Sequence, residues 1–278
     1  MRLSLCFSPC PNDTFIFDAM VNGKIDTEGL EFDLRLEDVE TLNRRVLAGE
    51  PDVSKISYGL LPLVLPDYRV LDSGGALGKG VGPLLVAKPG AEGMDPEDGE
   101  CTVALPGRHT TAHMLFTLAY PKAVRKIFMP FHAIEDAVLK GEADAGVIIH
   151  ENRFTYEARG LVRLTDLGEV WEQNTGHPIP LGGIVMKRGL PAELMERTDR
   201  VIRRSLEYAR SRYPELPEMV RRHAQAMEES VMRRHIDLYV NDFSLSLGRE
   251  GRAAVWKLLE AAEFLHPAPV AASFEVFR

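Results

Sequence analysis

Cysteine is scarce, with only Cys6, Cys10 and Cys101 among 278 residues. An odd trio cannot close into a disulfide framework, and such thiols are most simply buried side chains in a reducing compartment. Long apolar runs are missing as well. The longest mostly apolar stretch, around Leu60–Leu65, is broken by Pro62 and falls far short of the ~18 residues that a membrane-spanning helix needs. The opening MRLSLCFSPCPND carries one arginine and a short apolar run ended by Pro9, without a secretory leader's h-region or cleavage site. The expectation is a cytoplasmic protein with no membrane span. Positive charge is in deficit, since 33 Lys plus Arg against 41 Asp plus Glu leave a net −8. That argues against nucleic acid as a partner and leaves room only for a local cationic pocket.

Familiar catalytic signatures are also absent. DSGGALGKGVG (Asp72–Gly82) has glycines around Lys79, but a Walker loop needs a glycine five before Gly78 and Ser or Thr after Lys79, where Ser73 and Gly80 stand. Gly78, Gly80 and Gly82 alternate strictly, so GxGxxG fails too, and a turn beside a cleft or hinge is expected. No Gly-x-Ser-x-Gly elbow supports a nucleophile. His109 and His113 are four apart, a spacing that on a helix would share one face, but there is no HExxH glutamate or third ligand and His109 reads as a turn residue with His113 on the helix; Cys6-x3-Cys10 has no second pair at zinc spacing. No metal site is expected.

What is present is ample core material, 45% hydrophobic against 27% charged residues. Arg2–Phe7 reads as a buried strand, followed by a turn and a helix over about 14–21 with Asn12 or Asp13 as N-cap. Strand and helix patterns then alternate through most of the chain, which favours an α/β architecture with mainly parallel strands. The helical tail beyond Pro191 is Arg-rich with interspersed acids, the pattern of a solvated face.

The most informative feature is an internal echo. VLAGEPDVSKISY (Val46–Tyr58) and VLKGEADAGVIIH (Val138–His150) share six of thirteen gapless positions. Each copy reads as a helix end, a glycine, an acidic turn and an apolar strand. Each follows a strand, a Gly/Pro turn and a helix: FSPCPNDTFIF in one half, LPGRHTTAHMLF in the other. Two related lobes facing one another would line the gap with strand carboxyl ends and helix N-termini. GPLLVAKPG (Gly82–Gly90) and LGGIVMKRG (Leu181–Gly189) read as the crossovers. The expected lobes are residues 1–88 with 186–278, and an inserted 89–185.

That picture selects candidate residues. His150 ends a strand at the gap, where an imidazole suits proton transfer near neutral pH, although a structural histidine has the same spacing. Lys55 and Ser57 hold the equivalent strand end and could orient an acidic or hydroxylated ligand, or be a surface lysine and a turn serine. The N–H groups of Thr110, Thr111 and Ala112 open a helix and could hold a carboxylate; ordinary threonine capping fits equally.

FSPCPNDTFIF (Phe7–Phe17), EDVETLNR (Glu37–Arg44), SGGALGKGVGPLLVA (Ser73–Ala87), PGRHTTA (Pro106–Ala112), GVIIHENRFTY (Gly146–Tyr156) and VNDFSL (Val240–Leu245) together resemble the 1,4-dihydroxy-6-naphthoate synthase family of the futalosine route to menaquinone. The resemblance spans nearly the whole chain. It implies a two-lobed fold like that of periplasmic binding proteins, and a lyase releasing 1,4-dihydroxy-6-naphthoate from cyclic dehypoxanthine futalosine without metal or redox cofactor. It also implies that His150 is the base, that Lys55, Ile56, Ser57, Thr111 and Ala112 contact a small carboxylate substrate, and, more loosely, that Asn12 and Asn43 do so. Thr110 is added from helix-end physics. The alternatives are a noncatalytic organic-anion-binding protein and a chorismate dehydratase of the same pathway.

Overall fold

In a computed structural model, residues 1–224, 228–263 and 274–277 are described. The first sheet is built from β1 (Arg2–Phe7), β2 (Glu31–Leu36), β3 (Val53–Ser57), β4 (Tyr68–Val70) and β5 (Ala76–Gly78). The second contains β6 (Leu84–Ala87), β7 (Thr102–Leu105), β8 (Arg125–Phe128), β9 (Ala145–Ile148) and β10 (Val162–Asp166), after which β11 (Ile179–Lys187) returns to the first. The helices are α1 (Pro11–Val21), α2 (Val39–Leu47), α3 (Leu61–Val64), α4 (Thr111–Ala119), α5 (Ile134–Lys140), α6 (Leu167–Thr175), α7 (Ala192–Arg212), α8 (Glu218–His223), α9 (Glu229–Tyr239), α10 (Asp242–Leu245) and α11 (Gly248–Glu263).

The sequence echo is a structural repeat. One sheet runs β2-β1-β3-β11-β4, with β5 also on β11, and the other β10-β6-β9-β7-β8. In each, the repeat's first strand pairs in parallel with both later ones: β1 with β2 and β3, β7 with β8 and β9. An antiparallel strand then joins each outer flank, β11 on β3 and β6 on β9. The units β1-α1-β2-α2-β3 and β7-α4-β8-α5-β9 are thus built alike, and the carboxyl ends of β3 and β9 carry the two ends of the echo.

The crossovers need correction. β6 belongs to the second sheet and β11 to the first, so boundaries at 88/89 and 185/186 put Leu84–Ala87 and Ile179–Val185 on the wrong sides. Both segments read as short apolar strands closed by a basic residue and glycine; which sheet takes each is decided by pairing. Gly82 and Gly168 pack backbone to backbone beside the crossover, where a Cβ on Gly82 would stand 2.3 Å from Gly168 Cα. Arg153 holds the same place through Gly82 O, Gly80 O and Asp166.

Local chemistry explains the elements that frame the gap. Asp38 caps α2 by accepting from Glu40 N and Thr41 N, and the helix turns Leu42, Asn43 and Val46 inward. Helix α1 starts earlier than the sequence suggests, with Cys10 as N-cap and Pro11 at its first turn. Proline's fixed φ suits that place and it lacks an N–H that would go unused there. Asn12 and Asp13 are therefore inside the helix rather than capping it, and their side chains are free for the gap. No described helix is long and apolar enough to cross a membrane.

The Arg-rich face of α7 does structural duty at one point. Arg200 and Arg204 both bind Glu28, at 2.8 and 2.7 Å, and the hydrogen bond from Arg200, aided by that from Arg204, lowers the Glu28 pKa from 4.5 to about 2. A depressed folded-state pKa contributes stability present above the unfolded value and lost as pH falls through the folded one. The stability difference between the parent and Glu28→Gln should therefore be small but constant near neutrality and vanish between about pH 4.5 and 2. Denaturant titrations across that range check it, and a difference unchanged at pH 2 would refute the pairing.

Candidate active site

The cavity between the sheets is lined from the first lobe by Ser8, Asn12, Lys55 and Ser57 and from the second by Thr110, Thr111 and His150, with His235 and Tyr239 of α9 closing one side. Its floor is a set of buried ionic and polar bonds. Lys55 Nζ donates to Asp13 Oδ1 at 2.9 Å and to Gly74 O at 3.2 Å. Asp13 also accepts from Ser8 N, Ser8 Oγ and Asn12 Nδ2. Since Asn12 Nδ2 donates to Asp13, Asn12 Oδ1 is the acceptor for His235 Nε2–H at 2.9 Å. Lys55 thus lines the cavity with its charge already balanced, and Asn12 is there as well, holding α9 to α1.

Ser57 is fixed by Asn43, which accepts from Ser57 N at 2.9 Å and donates to Ser57 Oγ at 3.1 Å. The serine hydroxyl hydrogen remains available to the cavity. Asn43 itself is fully buried and does not line the cavity; its second donor contact, to His109 O at 3.2 Å, ties the lobes together. Ile56 lines the floor.

Across the gap, the threonine hydroxyls are already engaged. Thr110 Oγ1 caps α4 by accepting from His113 N and donates to Gly107 O. Thr111 Oγ1 donates to Leu181 O at 2.7 Å and accepts from Gly59 N at 2.9 Å. What remains at this helix end, among the described residues, is the pair of backbone N–H groups of Thr111 and Ala112, at the positive end of a nine-residue helix. A carboxylate is the natural complement of such a pair.

His150 sits where the echo put it, immediately beyond β9, in backbone geometry that is costly for a side-chain-bearing residue, φ +58°. Its ring packs edge-on to Phe131, with centroids 4.8 Å apart, and lies nearly parallel to His235 at 6.1 Å. Nδ1 is 3.6 Å from Cys10 Sγ. Nε2 is buried without a partner among the described residues. Burial lowers the His150 pKa, with the nearby Glu151 carboxylate opposing it, so the ring is neutral and able to accept a proton at neutral pH. His235 is pushed further down, by burial first and then by His150 and Lys55.

The histidine and cysteine pairs of the sequence do not converge. His109 Nδ1 meets Glu40 at 3.0 Å, His113 Nδ1 meets Arg108 O, and Cys6 is not among the ligand atoms clustered with Cys10. A different group does: one ligating atom each of Cys10, His150 and Glu151 lie within 4.8 Å of one another. Sequence reasoning missed Glu151, His235 and Tyr239. The last two are four apart on α9, which is no more than the spacing of any buried helix face.

A family model described as menaquinone biosynthesis matches residues 3–263. A protein of Thermus thermophilus named 1,4-dihydroxy-6-naphtoate synthase is 45% identical, covering 94% of both chains. One of the same name from Streptomyces coelicolor is 43% identical over 96% of this chain and 95% of its own. Among solved structures, a protein of Archaeoglobus fulgidus superposes with a TM-score of 0.89 at 35% identity, covering 96% of this chain and 98% of that one. The periplasmic aliphatic sulphonate binding protein SsuA of Escherichia coli gives 0.69 at 10% identity, covering 100% and 92%. At that identity the likeness concerns the fold, which is the two-lobed arrangement of periplasmic binding proteins.

Proposed function

The chain belongs to the menaquinone biosynthesis family, and on that premise we propose that it is a 1,4-dihydroxy-6-naphthoate synthase acting on cyclic dehypoxanthine futalosine, with His150 as general base. The observation that carries the reading is that one cavity is lined both by His150, a neutral imidazole whose Nε2 has no partner among the described residues, and by the helix-end amides of Thr111 and Ala112.

Each feature has a place in the chemistry. The Thr111 and Ala112 N–H groups hold the substrate carboxylate and fix its ring system between the lobes. Ser57, locked by Asn43, offers a hydroxyl donor from the opposite lobe. His150 Nε2 takes a proton, the carbon bond to the sugar-derived fragment breaks, and the released electrons complete an aromatic ring. Aromatisation supplies the driving force. The protein supplies position, a dry site and the proton acceptor. Contacts such as Gly59 N to Thr111 Oγ1 and Asn43 to His109 O join the lobes in this closed arrangement, so substrate entry requires them to part.

The test is incubation of the purified protein with cyclic dehypoxanthine futalosine, with chorismate, and with buffer alone, followed by mass spectrometry. The expected result is 1,4-dihydroxy-6-naphthoate from the first only. Dehydration of chorismate instead, or retention of the futalosine unchanged, would reject the assignment in favour of the sister enzyme or a binding protein respectively.

A further inference from the structure

In and behind the cavity wall lie more lone pairs than the proposed reaction uses. Both carboxylate oxygens of Glu151 and Nδ1 of His235 are buried without a hydrogen-bond partner among the described residues, and their side chains are 7% and 0% exposed. They face each other, with Glu151 Oε2 3.7 Å from His235 Nδ1. The tautomer makes this costly. Because His235 Nε2–H donates to Asn12 Oδ1, Nδ1 of the neutral ring presents a bare lone pair to a carboxylate. Buried polar atoms are rarely left so, and a group supplying positive charge would satisfy both.

Cys10 and His150 bring further ligand atoms close to the Glu151 carboxylate. We propose that Cys10 Sγ, His150 Nδ1 and one Glu151 oxygen form a three-residue site for a zinc-type divalent cation behind the cleft wall, with the fourth position left to an exogenous ligand. A tetrahedral ion about 2.3 Å from sulfur and about 2.05 Å from nitrogen separates those two ligand atoms by about 3.6 Å. The Cys10 Sγ to His150 Nδ1 distance is 3.6 Å. One atom from each of Cys10, His150 and Glu151 lie within 4.8 Å of one another, so small side-chain rotations bring the carboxylate to the same centre. The charges also balance: on binding, the thiol gives its proton to solvent, and one thiolate plus one carboxylate neutralise a dication that the neutral His150 imidazole also ligates. Thiolate and imidazole donors select zinc or cobalt over magnesium or calcium.

Occupancy has a consequence for the reaction, which rests on the lyase reading. An imidazole bound through Nδ1 carries its hydrogen on Nε2, so the cation removes the lone pair assigned to proton abstraction. The site is therefore inhibitory, and zinc should suppress turnover until a chelator withdraws it.

The experiment reads binding without reading turnover, so its failure is separable from failure of the product assay. Full-length protein is stripped with EDTA, desalted, and titrated with zinc chloride and with cobalt chloride. One equivalent of each should bind, cobalt should show a thiolate charge-transfer band, and magnesium should not compete. Cys10→Ser and Glu151→Gln should each weaken binding by more than the roughly 10–100-fold typical of losing only a ligand's outer partner. Cys6→Ser and Cys101→Ser should bind as the parent does. Absence of stoichiometric zinc binding, a cobalt spectrum without the thiolate band, or unchanged affinity in both Cys10→Ser and Glu151→Gln would overturn the site. The two variants change different elements, and thermal melting shows that each is folded before it is scored.

Discussion

His150→Asn should lower kcat by about 10²–10⁴-fold, the usual contribution of a positioned general base, while leaving the melting temperature close to the parent's. Asparagine is the informative replacement because it tolerates the left-handed backbone that His150 adopts, φ +58°. Alanine at the same place would combine loss of the base with backbone strain. The side chain removed is half-buried and its Nε2 has no partner among the described residues, so the structural penalty is limited to packing against Phe131 and His235 and the long Nδ1 contact to Cys10 Sγ. Substrate affinity should change little, since the carboxylate anchor is on α4. Steady-state kinetics with single-turnover measurements would separate the two effects. A variant that retains near-parental kcat would remove His150 from the mechanism, and one that loses affinity in step with rate would make it a binding residue instead.

The repeat was legible in the sequence because its two copies conserve what a parallel unit needs: a glycine to stop the helix, an acidic turn and an apolar strand. Gly49 and Gly141 indeed take left-handed φ values of +69° and +77°. Strand ends were therefore located to within a residue or two, and with them Lys55, Ser57, His150 and the start of α4. What sequence could not carry was pairing. Leu84–Ala87 and Ile179–Val185 look alike, and only their hydrogen-bonded neighbours show that each lies in the lobe opposite to the expected one.

The floor and side wall of the cavity were illegible for a related reason. Asn12 and Asp13 have the composition of caps, yet Pro11 claims the helix start and frees them to bind His235 and Lys55. Cys10, Glu151 and His235 come from three distant segments, so no spacing motif links them. The threonines show the opposite limit: Thr110 and Thr111 line the cavity where the sequence placed them, but their hydroxyls are engaged by Gly107 and Leu181 and only backbone groups are left for a ligand.

Lys55→Met is expected to cost about 3–5 kcal/mol of folding stability, because it strands a buried carboxylate. Asp13 is almost wholly enclosed, and Lys55 is the cation that balances it, at 2.9 Å with side-chain exposures of 7% and 2%. Ser8 and Asn12 would still donate to Asp13, but neutral donors do not offset the desolvation of a full charge. Adding Asp13→Asn to Lys55→Met should recover most of the loss, since it removes the stranded charge while keeping a carbonyl acceptor for Ser8. Urea unfolding of the parent, both single variants and the double variant completes the cycle. A Lys55→Met cost below about 1 kcal/mol, the range of exposed pairs, would mean that the bond behaves as a surface contact. Recovery of stability without recovery of substrate affinity in the double variant would assign Lys55 a second role, as a contact to the bound acid. Recovery of both would show that its task is to hold Asp13, and through Asn12 the His235 side of the cavity, in place.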